Sequence, residues 1–173
     1  GTYNEKKGEI KRWEEICSKL NAAIEIVSKE RKAFIDNILN RLSDDCDQLY
    51  QAIHPHEQFS GIRFVLDQHK KGSLDQVANF EGFEIPPQAY FSDSHLDTLS
   101  FAFFLAMARQ NDPSNTILVI DDIFTSVDEE HLDRIVKLLI DQSQHFVQII
   151  AATHLRKWMD WALQGQAPYS KMQ

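Results

Sequence analysis

Residues 117–154 read ILVIDDIFTSVDEEHLDRIVKLLIDQSQHFVQIIAATH, and this stretch decides the fold. It opens with four consecutive apolar residues, 117–120, which is the pattern of a strand buried on both faces. Ser126 and Glu129 then form an S-x-x-E capping box, and apolar residues recur at helical spacing from Leu132 to Leu139. Residues 146–152 predict a second buried strand. The stretch therefore predicts a strand–helix–strand unit with parallel strands.

Polar side chains follow both predicted strands. Asp121 and Asp122 follow the first strand, and Thr153 and His154 follow the second. Because ligands gather beyond the carboxyl ends of parallel strands, we expect two carboxylates and an imidazole at one sheet edge. Mg²⁺ prefers oxygen ligands and keeps several waters, so Asp121 can hold it while Asp122 orients an attacking water. The alternatives are that the two acids merely end a strand in solvent and that His154 is a core histidine.

A long helix is predicted before this unit. Residues 10–50 contain no Pro and no Gly, and their apolar residues recur in steps of three and four from Trp13 to Leu42. Interleaved Glu and Lys favour a coiled-coil strand, with a helix packed on the same domain as the alternative. Pro55 ends the helix. The sequence thus predicts two domains, a helix over residues 1–53 and an α/β lobe over residues 54–173.

Residues 54–57, His-Pro-His-Glu, mark the boundary between these two parts. Two histidines and a glutamate in a loop are candidate metal ligands, but such a site needs a further converging ligand and the sequence names none. The two cysteines, Cys17 and Cys46, lack metal-ligand spacing and suit a reducing compartment.

The stretch between the long helix and the first buried strand is less clearly patterned. Residues 61–66 predict a strand, and residues 72–87 predict a mixture of loop and short elements. Ser94 and Asp97 form an S-x-x-D capping box, so a helix over 94–109 follows.

Four stretches of the sequence, in the order in which they occur, resemble motifs of ABC-type ATPases. Residues 117–122 resemble a Walker B strand, residues 126–128 resemble the D-loop, and His154 falls where the family has its switch histidine. Residues 91–102, FSDSHLDTLSFA, resemble the signature motif and helix of SMC, RecN and related coiled-coil ATPases. The resemblance implies an α/β fold, the C-terminal half of an ABC-ATPase (P-loop NTPase) head with parallel strands and flanking helices. The long N-terminal helix would be its coiled-coil arm.

The same resemblance implies ATP and Mg²⁺ as cofactors. Asp121 would orient Mg²⁺ through water, and Asp122 and His154 would be catalytic. The family's signature loop reaches across a head-to-head dimer to the γ-phosphate bound by the partner, which assigns Ser92 and Ser94 to nucleotide binding. Asp128 would shape the dimer seam. A helix N-terminus suits this role because its free N–H groups attract anions.

Three features depart from the family pattern. Asp93 and Ser94 replace the signature glycines, and Asp122 stands where most ABC enzymes have Glu. The Asp-Asp pair resembles the branch of predicted bacterial ATPases that includes RloC and Septu-like proteins. No G-x-x-x-x-G-K-[ST] loop occurs, so an N-terminal phosphate-loop lobe from the same or another chain would have to complete the site. The lobe alone is then expected to be inactive.

The resemblance implies an ATPase in DNA repair or anti-phage defence that acts on DNA or an effector protein. One alternative is a catalytically silent coiled-coil adaptor that docks a partner protein. A second is a receiver-type signalling domain, although only about 50 residues follow Asp122, too few for a doubly wound domain. The net charge of −8 gives the chain no overall attraction for DNA. No apolar run has the length of a membrane span and no signal peptide is evident, so we expect a cytoplasmic protein.

Overall fold

The computed structural model describes residues 2–67, 72–121 and 127–153. The chain forms two compact units, residues 1–39 and 40–173. The first unit is helical and belongs to α1, which spans Thr2–Ile53. The predicted long helix is confirmed, and it begins earlier than its apolar pattern indicates. Within the first unit the large apolar side chains of this pattern are exposed, among them Trp13, Ile24 and Phe34.

The last turns of α1, from residue 40 onward, bury one face in the second unit. The buried apolar residues follow helical spacing: Leu42, Cys46, Leu49, Tyr50 and Ile53. The helix ends at Ile53, two residues before Pro55. Arg134 supports this end, because its Nη1 donates a hydrogen bond to the carbonyl oxygen of Ile53 at 3.2 Å.

An antiparallel sheet follows, with the strand order β1–β2–β3. The strands are β1 (Phe59–Leu66), β2 (Leu74–Phe80) and β3 (Phe83–Ile85). The first strand was predicted, but the other two lie entirely in the stretch assigned to loop and short elements. The β2–β3 turn consists of Glu81 and Gly82, both with positive φ, as a two-residue hairpin turn requires. Glu-Gly is a weaker hairpin signal than Asn-Gly, which explains why the sequence pattern did not predict this hairpin.

The outer edge of β1 is covered by a polar stripe on α1. Side chains at positions 43, 47 and 51, one helical turn apart, bond the strand's backbone. The hydrogen bonds join Phe64 N to Ser43 Oγ (2.9 Å), Ile62 N to Asp47 Oδ1 (3.0 Å) and Gln51 Nε2 to Phe59 O (2.6 Å). Satisfying an edge in this way protects it from pairing with another strand. It also fixes α1 to the sheet.

Two further helices lead to the second sheet. The short α2 spans Pro87–Tyr90, and α3 spans Asp93–Gln110. The predicted helix over 94–109 is confirmed, but the predicted capping box is wrong. Ser92, rather than Ser94, is the N-cap, and its side chain accepts a hydrogen bond from His95 N. The helix begins one residue earlier than predicted, at Asp93, because Ser92 has the extended backbone that an N-cap requires, with φ −68° and ψ 166°.

The second sheet pairs β4 (Ile117–Asp121) with β5 (Gln148–Ala152) in parallel, and α4 (Glu129–Gln142) lies between them in the chain. The predicted parallel strand–helix–strand unit is confirmed. Burial on both faces of the strands is wrong for the described residues, since Ile117 and Val119 are more than half exposed. One face of β4 is covered, through Leu118 and Ile120, and the other is not.

The start of α4 also differs from the predicted one. The helix begins at Glu129 with Asp128 as its N-cap, whereas the sequence pattern predicts the cap at Ser126, which lies outside the described residues. The apolar face predicted on this helix is buried at Leu132, Ile135 and Leu139. No helix in the described part of the chain is both long and apolar enough to cross a membrane.

Candidate functional site

The predicted magnesium ligand lies at the carboxyl end of β4. Asp121 pairs with Ala152, the last residue of β5, and its side chain is exposed. The two strands therefore end side by side, as expected of a parallel pair whose polar residues meet at one edge. The predicted catalytic residues Asp122 and His154 lie outside the described residues, as does Ser126 of the predicted D-loop.

Ser92 occupies the exposed N-terminus of α3, the predicted signature helix. Its Oγ accepts a hydrogen bond from His95 N at 3.3 Å and lies 2.6 Å from His95 Nδ1. An 18-residue helix carries a positive dipole end and free N–H groups at this terminus, which favour an anion. Asp93 in the first turn adds a negative charge to the same terminus.

Ser94, the second serine assigned to nucleotide binding, is placed differently. Its Oγ is buried and has no hydrogen-bond partner among the described residues. A hydroxyl enclosed in this way does not face an external phosphate. Of the two serines, only Ser92 is exposed at the surface in this structure.

Asp128, the predicted dimer-seam residue, precedes the first turn of α4. Its side chain is 77% exposed and makes no capping hydrogen bond. Its Oδ2 lies 3.9 Å from Nδ1 of His131, which is too long for a hydrogen bond. The carboxylate is therefore exposed beside His131, whose side chain is 15% exposed.

Four residues that were not predicted to meet form a group that we call the histidine cluster: His54, Glu57, His95 and His131. Glu57 is at its centre. Its Oε1 lies 2.8 Å from His54 Nδ1 and 3.4 Å from His131 Nε2, and its Oε2 lies 2.6 Å from His95 Nε2. The cluster links two predicted site residues, because His95 contacts Ser92 and His131 approaches Asp128.

His54 is the most enclosed member of the cluster. Its ring is fully buried and lies against three other rings, with centroid distances of 4.6 Å to Tyr50, 4.6 Å to His95 and 4.2 Å to His131. Its Nε2 lies 2.7 Å from Thr98 Oγ1 on α3. The residue thus joins the end of α1 to both later helices.

Burial controls the charge of the cluster. Desolvation lowers the pKa of His54 from 6.5 to about 4, although Glu57 opposes the shift. Burial by itself raises the pKa of Glu57, but hydrogen bonds from His54 and His95 outweigh it and the net pKa is lowered. At neutral pH the cluster therefore combines a neutral His54 with an ionised carboxylate.

Two members of the cluster, His54 and Glu57, were visible in the sequence as part of His-Pro-His-Glu at 54–57. The contact with His131 was not. His131 is 74 residues beyond Glu57 and sits in the first turn of a helix whose start was predicted elsewhere. The spacing of these residues along the chain carries no metal-site signal. Only the packing of α4 against the end of α1 brings them together.

No protein-family model and no curated protein matches the sequence. Solved structures do match. The Smc head domain with a coiled coil and joint from Pyrococcus yayanosii aligns with a TM-score of 0.69 and 20% identity over 91% of this chain. The fold is that of the C-terminal part of an SMC head domain with its coiled coil. This result confirms the predicted fold class.

Two further SMC structures agree. The Smc head domain from Pyrococcus furiosus, with an extended coiled coil and bound to the C-terminal domain of ScpA, gives a TM-score of 0.66 at 18% identity over 91% of this chain. A structure from work on ATP-driven dimerization and DNA-stimulated activation of SMC ATPases gives 0.61 at 19% identity over 74%. The chain spans 30% and 39% of the two Pyrococcus chains and 76% of the third.

Proposed function

We propose that this chain is the C-terminal lobe of an SMC-like ATPase head, which binds and hydrolyses ATP together with a phosphate-loop lobe. The second lobe is needed because no G-x-x-x-x-G-K-[ST] loop occurs in this sequence to hold the β- and γ-phosphates. That lobe belongs to the same or another chain, and the complete head dimerises around ATP. The process served is DNA repair or anti-phage defence, through DNA or an effector protein.

One observation carries this proposal. A chain with the fold of an SMC head has an acidic residue at the end of one parallel strand, and the neighbouring strand ends beside it. Asp121 ends β4 next to Ala152, the end of β5. An exposed carboxylate at this edge suits Mg²⁺, which keeps several of its waters and takes further oxygens from the nucleotide phosphates. In the sequence, Asp122 is the first residue after β4 and His154 is the second residue after β5.

The roles proposed for these residues are those that the resemblance to ABC-type ATPases implies. Asp121 holds Mg²⁺ through water, Asp122 orients the attacking water, and His154 contacts the γ-phosphate. Ser92 contacts the partner's nucleotide from the N-terminus of α3, where its hydroxyl adds a donor to the free N–H groups. Ser94 can take part only if its buried hydroxyl becomes exposed when the heads meet.

The exposed half of α1 supports the coiled-coil arm. Trp13, Ile24 and Phe34 present an apolar stripe to solvent, with exposures of 62–68%. Such a stripe on a single helix is buried when a second helix pairs with it. The arm therefore requires a second helix, as in the SMC heads with coiled coils.

The test is Mg²⁺-dependent phosphate release by this chain joined to the phosphate-loop lobe of its parent protein. We expect activity only when both lobes are present, and Asp122→Asn to lower turnover by about 100-fold or more, the scale of a lost general base. Asp133→Asn is the matched control, since Asp133 is an exposed acid on α4 that has no proposed role in the site. It should leave turnover unchanged.

The other outcomes distinguish the alternatives. If the joined lobes bind ATP but do not hydrolyse it, the protein is a silent adaptor with an ATPase fold. If they do not bind ATP, the proposed nucleotide site is wrong, even though the fold is that of an SMC head. Adding DNA to the active pair tests whether DNA stimulates turnover.

A further inference from the structure

The histidine cluster has the geometry of a metal site. His54, Glu57 and His131 each offer one ligand atom, and these atoms all lie within 4.8 Å of one another. In the part of the chain that the structure describes, it is the one group of this kind. We propose that these three side chains bind one divalent transition-metal ion of the zinc class. The proposal rests on the cluster's own geometry and does not depend on the proposed ATPase activity.

The ligand types select the metal. Imidazole nitrogen suits Zn²⁺ and related transition metals, whereas Mg²⁺ and Ca²⁺ prefer oxygen ligands. Two imidazoles and one carboxylate are a known zinc ligand set, and three protein ligands leave a further position open to water. The site therefore differs in chemistry from the Mg²⁺ position proposed at Asp121.

Hydrogen bonds around His54 fit a metal-bound ring. A ligating imidazole usually donates its other N–H to a fixed partner. With Nδ1 on the metal, Nε2–H donates to Thr98 Oγ1 at 2.7 Å. The Thr98 hydroxyl then donates to the carbonyl oxygen of Ser94 or His95, each 3.0 Å away. Without a metal, the neutral ring would donate Nδ1–H to Glu57, and the Thr98 hydroxyl would have to donate to Nε2 instead of to a backbone carbonyl oxygen.

The other two ligands also have outer contacts. Glu57 keeps Oε2 for the hydrogen bond from His95 Nε2, which holds the carboxylate in place. Nδ1 of His131 is buried without a hydrogen-bond partner among the described residues, and the Asp128 carboxylate lies 3.9 Å away. A small shift would let Asp128 accept the N–H of a metal-bound His131.

Hydrogen bonding alone explains His131 poorly. Its Nε2 lies 3.4 Å from Glu57 Oε1, beyond the usual range for an N–H···O bond. An ion between the two atoms would satisfy both, since neither would have to donate a hydrogen. Glu57 retains 27% of its side-chain exposure, so an ion can reach the cluster from solvent.

A bound ion would tie together three parts of the lobe. His54 and Glu57 follow α1, and His131 lies in the first turn of α4. His95, bonded to Glu57, lies in the first turn of α3 beside Ser92. The ion would therefore fix the predicted signature helix relative to Asp128, and it would raise the melting temperature by binding the folded state alone.

The experiment uses this chain without an affinity tag, stripped of metal by a chelator. Zn²⁺ is titrated by calorimetry, and Co²⁺ replaces it for visible spectroscopy. We expect one ion per chain, a higher melting temperature with Zn²⁺, and the intense d–d absorption of four- or five-coordinate Co²⁺. Millimolar Mg²⁺ should not displace either ion.

Two ligand variants and one control decide the assignment. His131→Ala and Glu57→Gln should each weaken Zn²⁺ binding by about 100-fold or more, since loss of an outer partner alone costs 10–100-fold. His145→Ala is the control, because His145 is exposed and outside the cluster. It should bind Zn²⁺ like the unchanged chain.

The proposal is overturned if the chain binds no Zn²⁺, if Co²⁺ keeps the weak spectrum of its hexa-aqua form, or if both variants bind Zn²⁺ unchanged. Circular dichroism checks that each variant is folded. Should His131→Ala fail to fold, Glu57→Gln decides the matter, because it preserves the shape of the side chain and removes only the ligand charge.

Discussion

The two halves of α1 carry the same kind of pattern and differ in what covers it. Up to residue 39 most of the large apolar side chains face solvent, as Leu20 does at 56% exposure. From residue 40 the same spacing buries Leu49 to 3% and Tyr50 completely. A helical repeat therefore identifies which face is apolar, but it does not identify the partner of that face. The partner has to come from the sheet and helices that follow, or from another helix.

Cysteine reactivity is the largest difference that we expect between the two halves. Cys17 is exposed, while Cys46 is fully buried. Burial, together with Asp47 and Asp45, raises the pKa of Cys46 from 9.0 to about 12. Since the thiolate is the reactive form, its population at Cys46 falls about 1,000-fold. Alkylation at pH 8, followed by mass spectrometry of peptides, should therefore label the exposed Cys17 much faster than Cys46.

Labelling in denaturant is the control, because unfolding should make the two thiols react at similar rates. Comparable rates in the native chain would mean that the second half of α1 is not packed as described. The distinction between the halves would then be lost.

Matched leucine substitutions measure the same difference as stability. Leu49→Ala should lower the free energy of unfolding by about 2–5 kcal/mol, because it leaves a cavity in the core. Leu20→Ala should change it by less than about 0.5 kcal/mol, since the side chain is mostly in water. Urea denaturation followed by near-UV circular dichroism compares the two variants. A large cost at Leu20 would reveal that the first half is already covered, for example by a second copy.

We expect a pH dependence of stability from His54, which directly follows the packed second half of α1. The folded chain lowers the pKa of His54 to about 4, while the unfolded chain protonates this histidine near 6.5. The unfolded state therefore binds more protons between these values, and stability falls as pH drops from 6.5 to 4. The loss from this group is roughly 3 kcal/mol at most. Above pH 6.5 it contributes no slope.

This measurement requires metal-free protein, so a chelator is included. The titratable groups facing His54 are Tyr50, Glu57, His95 and His131. Glu57, with a lowered pKa, adds its own loss below its ordinary value of 4.5. His54→Gln should flatten the slope between pH 6.5 and 4, whereas the exposed His145→Gln should not. An unchanged slope in His54→Gln would assign the pH dependence to other groups.

Most of the fold was predictable because its signals are local. The long helix, α3 and the parallel pair β4–β5 each follow from the spacing of nearby residues. The β2–β3 hairpin was not predicted, because its Glu-Gly turn carries little information on its own. Exposure of Ile117 and Val119 could not be predicted either, since a continuous apolar run does not say which of its faces is covered.

The candidate site was predictable only where it follows the chain. Asp121 lies at the end of β4, a boundary that the sequence signals mark, whereas the same kind of signal put the cap of α3 at Ser94 instead of Ser92. The histidine cluster depends on His54 meeting His131, which no local pattern encodes. The burial of the Ser94 hydroxyl is a packing result as well, because serine in the first turn of a helix is usually exposed. Long-range packing thus determines the histidine cluster and the burial of Ser94, which local sequence patterns do not predict.

A matched pair of serines extends the comparison from α1 to α3 and gives the smallest effect. Ser92 caps the helix and is exposed, while the Ser94 Oγ is buried without a hydrogen-bond partner among the described residues. Ser92→Ala should lower the free energy of unfolding by about 1 kcal/mol, the typical value of an N-cap. Ser94→Ala should leave stability unchanged or raise it slightly, because an unpaired buried hydroxyl is itself unfavourable.

Urea midpoints of the two variants test this order. If Ser94→Ala proves the more costly change, its hydroxyl has a partner in solution, and the burial of Ser94 would no longer separate the two serines as candidates for contacting nucleotide.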